Sequence, residues 1–322
     1  MEIQQDLAPT PDISVVIPVR DEEANIRPLA DRLRAVFTSM AATYEIIFVT
    51  DINHDRTVEV IEAASKEDPR VGMVKLANAF GHHAAAYAGL SYARGSAVVM
   101  MDGDLQDQPE DIPRLHERIS EGFDVVYGIK ERKNESSVRN LLSKGFVRCL
   151  RLMSDYPLDV NTSMFRVITR RVRDAVMMYR ESSPSLTFVM GLIGFPTTQV
   201  LVTSAPRADG VTKYGLGRQI NLAVNSIVSF STKPLRIISV LGLTISFVSL
   251  LYSVVVIAQR LLLGSPVLGW STIVGLMCAL SGFQLMALGI MGEYVARVFL
   301  ETKRRPLFIV ERTIGVSGPP RI

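Results

Sequence analysis

Short apolar runs alternate with amphipathic segments between residues 13 and 127. The run ISVVIPV at 13–19 is typical of a strand buried on both faces, whereas 28–40 places its leucines on one side of a helix. Strands are predicted at 13–19, 45–50, 71–76, 97–101 and 124–127, and helices at 28–40, 57–66, 83–94 and 112–120. This alternation predicts an α/β fold with a mostly parallel sheet and helices on both of its faces.

Two later segments contain no charged residue and are long enough to cross a membrane. Residues 237–258 reach about 33 Å as a helix, at about 1.5 Å per residue, and 267–292 is long enough to return. A Gly264-Ser265-Pro266 turn lies between them. Soluble helices rarely lack charge on every face over such lengths, so a transmembrane hairpin is expected rather than a pair of buried soluble helices.

Basic residues predict how this hairpin is oriented, because Lys and Arg are concentrated on the cytoplasmic side of membrane proteins. They are Lys233 and Arg236 before the first segment and Arg297, Lys303, Arg304 and Arg305 after the second. Only Arg260 lies in the connecting loop. We therefore expect a multi-pass membrane protein with both termini in the cytoplasm.

These patterns divide the chain into four predicted parts. They are a cytoplasmic α/β domain at 1–215, an interfacial helix at 216–234, the hairpin at 235–296 and a cytoplasmic tail at 297–322. Residues 1–125 carry a net charge of −11 and residues 126–322 carry +14. Since the basic half contains the membrane segments, anionic membrane lipid is an expected partner. A basic amphipathic pattern at 138–153 fits either an interfacial helix or a core-packing helix.

Composition excludes several classes of protein. With 48% hydrophobic and 21% charged residues, the chain is neither disordered nor fibrous. Cys149 and Cys278 are too few for a disulfide framework or a cysteine-rich zinc module. No GxGxxG follows the first predicted strand, and no GxxxxGK or GxSxG is present, so dinucleotide, P-loop and serine-hydrolase chemistry find no support. No nucleic-acid partner is expected.

Polar residues cluster where the predicted strands end. Asp102-Gly103-Asp104 directly follows the fourth strand, and Asp51 follows the second. In such sheets ligands bind beyond the carboxyl ends of the strands. A lone D-x-D pair often only caps a turn, but at a strand end two carboxylates can reach one cation, so Mg²⁺ or Mn²⁺ bridging to a diphosphate is expected. His82 begins the third predicted helix region and is expected near the same edge.

These residues belong to stretches that make the sequence recognisable. The stretches are IPVRDEEANI, VTDINHDRT, FGHHAAAYAGLSYARG, MDGDLQDQPEDIP, GFDVVYG, NTSMFRVITRR, ADGVTKYGLG and SFSTKPLRIIS. Together they resemble the polyprenyl-phosphate glycosyltransferases of glycosyltransferase family 2, which include dolichol-phosphate mannose synthase and bacterial undecaprenyl-phosphate sugar transferases. The resemblance extends from residue 13 to about residue 306.

The resemblance implies a GT-A fold, a nucleotide-sugar donor and a polyprenyl-phosphate acceptor at the bacterial inner membrane. It assigns nucleotide binding to Pro18, Arg20, Glu22, Asp51 and Asp102. It places Asp102, Asp104 and Gln106 around a divalent metal and the donor diphosphate. Cations for the acceptor phosphate are expected at Arg132, Arg166 and Lys213. Catalysis would then depend on Asp102, Asp104, Arg166 and Lys213.

Several positions depart from the family pattern. They are Arg20 and Asp21 for Tyr-Asn, Thr50 for the first Asp of VDDGS, Ile52-Asn53 for its Gly-Ser, Ala79 for an Asn, and Ser163-Met164 where many members carry an acid. The departures near the nucleotide leave the base and the sugar open. The last one leaves the general base unidentified.

Alternative functions remain open at this stage. The first is a processive polysaccharide synthase, which usually has more spans and a QxxRW motif, whereas the one tryptophan here is Trp270 in the hairpin. The second is a non-catalytic membrane scaffold or lipid-translocation subunit. UDP-glucose is the first expectation for the donor, with GDP-mannose and aminoarabinose donors as alternatives. Protomers could also associate through Gly275, Gly282 and Gly289 in the hairpin.

Overall fold

Eight strands form one mixed sheet in the computed structural model, which describes residues 10–130, 164–179, 186–203, 233–263 and 269–316. The strands are β1 (Ile13–Val19), β2 (Tyr44–Thr50), β3 (Val71–Leu76), β4 (Ala97–Met100), β5 (Val125–Lys130), β6 (Arg166–Thr169), β7 (Thr197–Val202) and β8 (Val310–Ile314). The helices are α1 (Glu23–Ser39), α2 (Thr57–Glu67), α3 (His82–Tyr92), α4 (Ile112–Ser120), α5 (Arg170–Met177), α6 (Leu186–Ile193), α7 (Lys233–Leu263) and α8 (Trp270–Thr302). A 3₁₀ turn, Pro109–Asp111, precedes α4.

The strand order is β7-β5-β6-β4-β1-β2-β3-β8. Parallel pairing joins β1 to β2 and β4, β2 to β3, and β5 to β7. Three pairs are antiparallel, namely β3 with β8, β4 with β6, and β5 with β6. The predicted α/β class with a mostly parallel sheet is therefore confirmed.

The predicted elements agree with the structure closely, and the largest shift in a boundary is at α1. Strands β1 and β3 and helix α4 have the predicted bounds. Helix α1 begins at Glu23 instead of residue 28, because Ile26 continues the buried face of Leu29 and Leu33 one turn upstream. Pro28 therefore lies inside the helix, near its beginning, where the missing N–H removes a single backbone bond.

Side chains alternate between the two faces of the sheet, and each face has its own apolar core. Ile13, Val15 and Ile17 pack in the core that also contains residues of α1, α2 and α4. Val16 belongs to the opposite core, with residues of α3, α5 and α6. Helix α3 lies very close to β1 at Gly89. A Cβ added to Gly89 would fall only 2.3 Å from the Val16 Cγ1 atom.

A buried polar network closes the amino-terminal edge of the parallel strands. The Ser14 hydroxyl donates to Glu45 Oε1 at 2.6 Å, and the guanidinium of Arg94 donates to Glu45 Oε2 at 2.8 Å through Nη2. The backbone N–H of Arg94 reaches Glu45 Oε1 at 2.8 Å. The Glu45 carboxylate is therefore fully hydrogen-bonded, as a buried charge must be.

The described residues form two compact units. One contains residues 10–130, 164–179, 186–203 and 305–316, and the other contains 233–263 and 269–304. The first unit includes β8, so the segment that follows α8 adds an edge strand to the sheet. The interfacial helix predicted within 216–234 lies outside the described residues except for its last two positions. The amphipathic pattern at 138–153 also lies outside them, and the four predicted domain boundaries stay predictions.

Helices α7 and α8 make up the described part of the second unit. Among the described residues, one stretch, Leu280–Thr302, is both long and apolar enough to cross a membrane, and none of the residues in its apolar window is buried. A shorter apolar helix segment is Leu235–Ile245. The transmembrane hairpin at 237–258 and 267–292 therefore stays a prediction.

Candidate functional site

A cleft of about 320 Å³ opens at the carboxyl edge of the sheet, where β1, β2 and β4 end. Strand β1 pairs with β2 on one side and with β4 on the other. The position between β1 and β4 is therefore the switch point, the place where doubly wound sheets bind ligands. The lining residues come from the ends of three strands and the start of α3. They are Pro18, Val19, Arg20, Glu22, Asp51, Gly81, His82, Ala85, Asp102, Gly103 and Asp104.

The cleft brings together all five residues that were predicted to contact the nucleotide. They are Pro18, Arg20, Glu22, Asp51 and Asp102. Two of the three predicted metal ligands, Asp102 and Asp104, also line it, whereas Gln106 does not. Binding by these residues stays a prediction, but the sheet topology now explains why segments 80 residues apart in the sequence share one wall.

The loop after β4 holds Asp104 in one orientation. The backbone N–H of Gln106 donates to Asp104 Oδ1 at 3.1 Å, and the Gln106 side-chain amide donates to Oδ2 at 2.6 Å. Leu105 between them has a positive φ of 59°. Gly103 is required because a Cβ there would lie 2.5 Å from the Val19 Cγ1 atom. Gln106 thus acts on Asp104 rather than on the cleft.

The backbone of Asp102 is held by Asp107, a residue that the sequence patterns did not single out. The carboxylate of Asp107 is 1% exposed, and its Oδ2 accepts the backbone N–H of Asp102 at 3.2 Å. Lys130 neutralises this buried charge, with Nζ 2.9 Å from Asp107 Oδ1. Asp107 lies within the recognised DGDLQDQPE stretch, but nothing local to it indicates that its partner is on β5.

The carboxylates in the cleft repel one another. Burial raises the pKa of Asp102, and the charges of Asp107 and Asp104 raise it further, against the lowering effects of His82 and Lys130. Burial likewise raises the pKa of Glu22, with contributions from the charges of Asp104 and Asp102. A divalent cation would relieve this repulsion, and carboxylate oxygens are the ligands that Mg²⁺ and Mn²⁺ prefer.

The protein supplies few ligands to such a cation. In the part of the chain that the structure describes, no group of three or more His, Cys, Asp or Glu side chains is arranged to hold a metal ion. Asp102 and Asp104 therefore fit a metal that completes its coordination with water and substrate phosphates, which is the usual way Mg²⁺ is bound at phosphate-transfer sites.

The start of α3 forms part of the cleft wall. His82 lies with its Nε2 3.4 Å from Asp102 Oδ1, and both side chains are partly exposed. The neighbouring His83 reaches solvent, yet surrounding protein atoms lower its pKa by desolvation, as do the charges of His82 and Arg166. The sequence placed His82 near the ligand edge without assigning it a role, and the structure places it against the predicted metal ligand.

Asp51 lines the cleft at the end of β2, on the other side of β1 from the predicted metal ligands that follow β4. It is 6% exposed, and burial raises its pKa, opposed by the charge of Arg20. The Arg20 Nε atom is 3.9 Å from Asp51 Oδ1, too far for a hydrogen bond, and among the described residues this oxygen has no hydrogen-bond partner. Asp51 thus lines the cleft with a carboxylate whose Oδ1 is buried and has an unsatisfied acceptor.

Two of the positions that depart from the family pattern, Asp21 and Asn53, bind each other. The backbone N–H of Asp21 donates to Asn53 Oδ1 at 3.0 Å, and the N–H of His54 donates to Asp21 Oδ1 at 2.6 Å. Asp21 has a φ of 55°, a left-handed conformation that Asp tolerates better than most residues. These bonds join the loop after β1 to the loop after β2, and so hold Arg20 and Asp51 beside each other.

The structure places Arg166 in the core rather than on the cleft wall. It is 2% exposed, its Nε donates to the Met164 carbonyl at 3.2 Å, and its guanidinium lies 5.2 Å from the centre of the Tyr127 ring. Burial lowers its pKa, although Tyr127 and Asp102 counteract this. Arg132 and Lys213, the other predicted acceptor cations, lie outside the described residues.

Comparison with known proteins identifies the family of this chain. The family model described as glycosyl transferase family 2 matches residues 14–184. The uncharacterized glycosyltransferase YkcC of Bacillus subtilis is 36% identical over 306 residues, which is 95% of each chain. An undecaprenyl-phosphate 4-deoxy-4-formamido-L-arabinose transferase of Aeromonas hydrophila is 32% identical over 314 residues, covering 96% of this chain and 95% of that one.

Among solved structures, glucosyl-3-phosphoglycerate synthase from Mycobacterium tuberculosis, in complex with Mn²⁺, UDP-glucose and phosphoglyceric acid, is 20% identical. The match covers 68% of this chain and 79% of that one, with a TM-score of 0.47.

The sheet, the carboxylate cleft and the matched sequence together define a glycosyltransferase. The chain belongs to glycosyl transferase family 2. The GT-A fold implied by the resemblance is thereby confirmed, as is the resemblance to the polyprenyl-phosphate sugar transferases of this family.

If Asp104 binds the metal directly, Asp104→Asn should weaken Mn²⁺ binding while the fold survives, because an amide oxygen carries no net charge. A charge-assisted contact of about 1.5–3 kcal/mol corresponds to a roughly ten- to hundredfold loss of affinity. The measurement is Mn²⁺ titration by electron paramagnetic resonance on the full chain in detergent with UDP present. The control is Asp31→Asn on α1, whose carboxylate pairs with Arg34. Unchanged affinity in Asp104→Asn would refute direct ligation.

Proposed function

We propose that this enzyme transfers a sugar from a nucleotide-sugar donor, UDP-glucose being the first candidate, to polyprenyl phosphate at the cytoplasmic face of a bacterial membrane. The observation that carries the proposal is the carboxylate pair Asp102 and Asp104, at the switch point of the sheet, in one cleft with Asp51. The acceptor is supported by relatives named undecaprenyl-phosphate transferases that align over nearly the whole chain.

The chemistry requires a place for negative charge to accumulate. The sugar leaves through an oxocarbenium-like state while charge grows on the departing diphosphate. Asp102 and Asp104 would hold Mg²⁺ or Mn²⁺, and that ion, when bound, supplies charge stabilisation to the leaving group. Gln106 keeps both Asp104 oxygens oriented, and Asp107 fixes the backbone of Asp102. Attack from the opposite face of the sugar inverts the anomeric centre.

Asp51 is the residue that we assign to the nucleotide base, because it lines the cleft at the end of β2 beside Arg20. A carboxylate can accept the N3–H of uracil, and its two oxygens can equally accept the N1–H and N2 amino group of guanine. The donor panel described below therefore decides between UDP-sugars and GDP-mannose.

The acceptor supplies its own nucleophile. A phosphate monoester has a second pKa near 6, so it is largely ionised at neutral pH and needs no strong base. It needs cations that bring it towards a second anion, and we assign this role to Arg132, Arg166 and Lys213. Arg166 is buried between β4 and β5, so its part is to provide positive charge behind the cleft near Asp102.

A second sugar is favoured by the relatives. Those from Aeromonas hydrophila and Pseudomonas are named for 4-deoxy-4-formamido-L-arabinose, at 31–32% identity. A formamido group has one N–H donor and one carbonyl acceptor, and it stands where glucose has a single hydroxyl. The UDP-linked form of this arabinose is therefore the second candidate donor.

The activity is tested by giving membranes that contain the enzyme a panel of nucleotide sugars and identifying the lipid products by mass spectrometry. We expect a single-sugar polyprenyl phosphate from one UDP-sugar, lost with EDTA and restored by Mn²⁺ or Mg²⁺. Long glycan chains would indicate a polysaccharide synthase. Failure of every donor to give a product or to be hydrolysed would indicate a non-catalytic scaffold.

The acceptor cations can be separated from donor binding. Lys213→Ala should lower kcat/KM for polyprenyl phosphate roughly ten- to hundredfold, since it removes about 1.5–3 kcal/mol of charge-assisted interaction. Arg166→Ala should lower it less, because Arg166 is 2% exposed and acts on the acceptor only through its charge. Calorimetry should show nearly unchanged UDP affinity. Because Arg166 is buried, Arg166→Lys and a thermal unfolding curve accompany it. A residue whose loss weakens UDP binding by the same factor belongs to the donor site instead.

The sheet supports a topology in which both ends of the predicted hairpin lie on one side of the membrane. Strand β8, after α8, pairs with β3, so a chain that leaves the sheet to enter a membrane must return to the side from which it left. An even number of crossings meets this condition, and α7 and α8, with 31 and 33 residues, are long enough for one crossing each. Lys233 and Arg236 before the pair and the basic residues after it favour a cytoplasmic sheet domain.

Single cysteines in a Cys149→Ser, Cys278→Ser background test this topology. A membrane-impermeant maleimide added from outside should label a cysteine at Gly264 in intact cells and should not label one at Thr302 or Thr313. All three should react after permeabilisation, which controls for accessibility. Labelling at Thr302 from outside would contradict a cytoplasmic return.

A further inference from the structure

The segment that follows α8 pairs with β3 and also reaches beyond its end. In the register of β3 and β8, Leu76 lies opposite Val310, and the pairing shifts between Lys75 and Leu76. The backbone N–H of Ala77 then donates to the Ile309 carbonyl at 2.9 Å. Residues 307–316, which we call the return segment, therefore bind the first residue of the loop that leads from β3 to α3.

Apolar side chains anchor both ends of the return segment. Leu307, Phe308, Val310 and Val316 pack against the core on the α3 face of the sheet, and Phe80 of the β3–α3 loop packs against the same core. Val316 lies at the opposite end of β3, next to Gly72. A Cβ added to Gly72 would fall 2.4 Å from the Val316 Cγ1 atom. Phe308 is thus anchored at the cleft end of β3, and Val316 at the remote end.

The loop that the return segment holds ends in the cleft. It runs from Ala77 to Gly81, and Gly81 and His82 both line the cleft. Gly81 has a φ of 91°, a left-handed conformation that glycine adopts without strain but that leaves the backbone few constraints of its own. His82 Nε2 lies 3.4 Å from Asp102 Oδ1, so a small movement of this loop changes the space beside the predicted metal ligand.

We propose that the return segment positions His82 for contact with the donor diphosphate, through the Ile309 carbonyl and the packing of Phe308. Phe308 is a positioning residue and His82 is the residue that contacts substrate. The inference rests on the proposed function, because it takes a nucleoside diphosphate as the ligand of the cleft. It makes the chain that leaves the membrane helix a part of the donor site.

Two matched truncations separate positioning from simple stabilisation. Phe308→Ala and Val316→Ala each remove apolar packing from the return segment, but only Phe308 is next to Ile309, whose carbonyl accepts from the β3–α3 loop. If only about a tenth of Phe308→Ala molecules hold the β3–α3 loop in the conformation that binds UDP, the apparent Kd for UDP rises about tenfold. Val316→Ala should change this Kd less than about twofold. Calorimetry with UDP and Mn²⁺ on the full chain in detergent measures both, and thermal unfolding reports the stability of each variant.

A double-mutant cycle tests whether the effect passes through His82. Adding Phe308→Ala to His82→Ala should weaken UDP binding no further than His82→Ala alone, because the positioned group is already absent. Additive losses would overturn the proposal, as would equal losses in Phe308→Ala and Val316→Ala. If Phe308→Ala does not fold, Phe308→Leu, which keeps most of the apolar volume, carries the same cycle with a smaller factor.

The wild type distinguishes failure of this inference from failure of the proposed function. A wild-type chain that binds neither UDP nor GDP would refute a nucleotide-sugar donor, and the proposed function would fall with it. If the wild type binds UDP and Phe308→Ala binds it with the same affinity, only the positioning role is refuted.

Discussion

Parallel pairing of β1 with both β2 and β4 is the constraint on which the site depends. Strands that are apolar on both faces must be covered by helices on both sides, and parallel neighbours must be joined through those helices. All carboxyl ends then meet at one edge, and the chain leaves β1 and β4 in different directions. The loops that carry Glu22, Asp51 and Asp102 are forced to converge around the cleft that this divergence opens.

Glu45 at one edge of the sheet and the cleft carboxylates at the other have opposite electrostatic surroundings. At the amino-terminal edge, Glu45 is satisfied by Ser14 and by both the guanidinium and the backbone of Arg94. At the carboxyl edge, Asp102 and Glu22 have raised pKa values because burial and like charges disfavour their ionised forms. A fully paired carboxylate stabilises the fold, whereas a repelling pair has free energy to gain from a cation. This difference in electrostatics is the physical basis for proposing a metal and a diphosphate at the carboxyl edge.

The return segment joins the membrane part of the chain to the catalytic sheet. Lys75 and Glu311 form an ion pair at 2.9 Å although 236 residues separate them in the sequence. Closing so long a loop costs conformational entropy, and the sheet pairing, apolar anchors and ion pairs of β8 together offset it. Because the sheet includes the chain on both sides of α7 and α8, the predicted hairpin would begin and end on the same side of a membrane.

The sequence by itself determined the strand–helix order up to β5, the carboxylate motif and the family, because each depends on the spacing of neighbouring residues. Only the tertiary structure decided that VERTI at 310–314 is a strand, that Asp21 and Asn53 bind each other, that Asp107 supports Asp102, and that Arg166 is buried. Each of these depends on a partner distant in the chain. A local pattern records which face of an element is buried, but it carries no information about which remote group supplies the opposing hydrogen bond, charge or apolar surface.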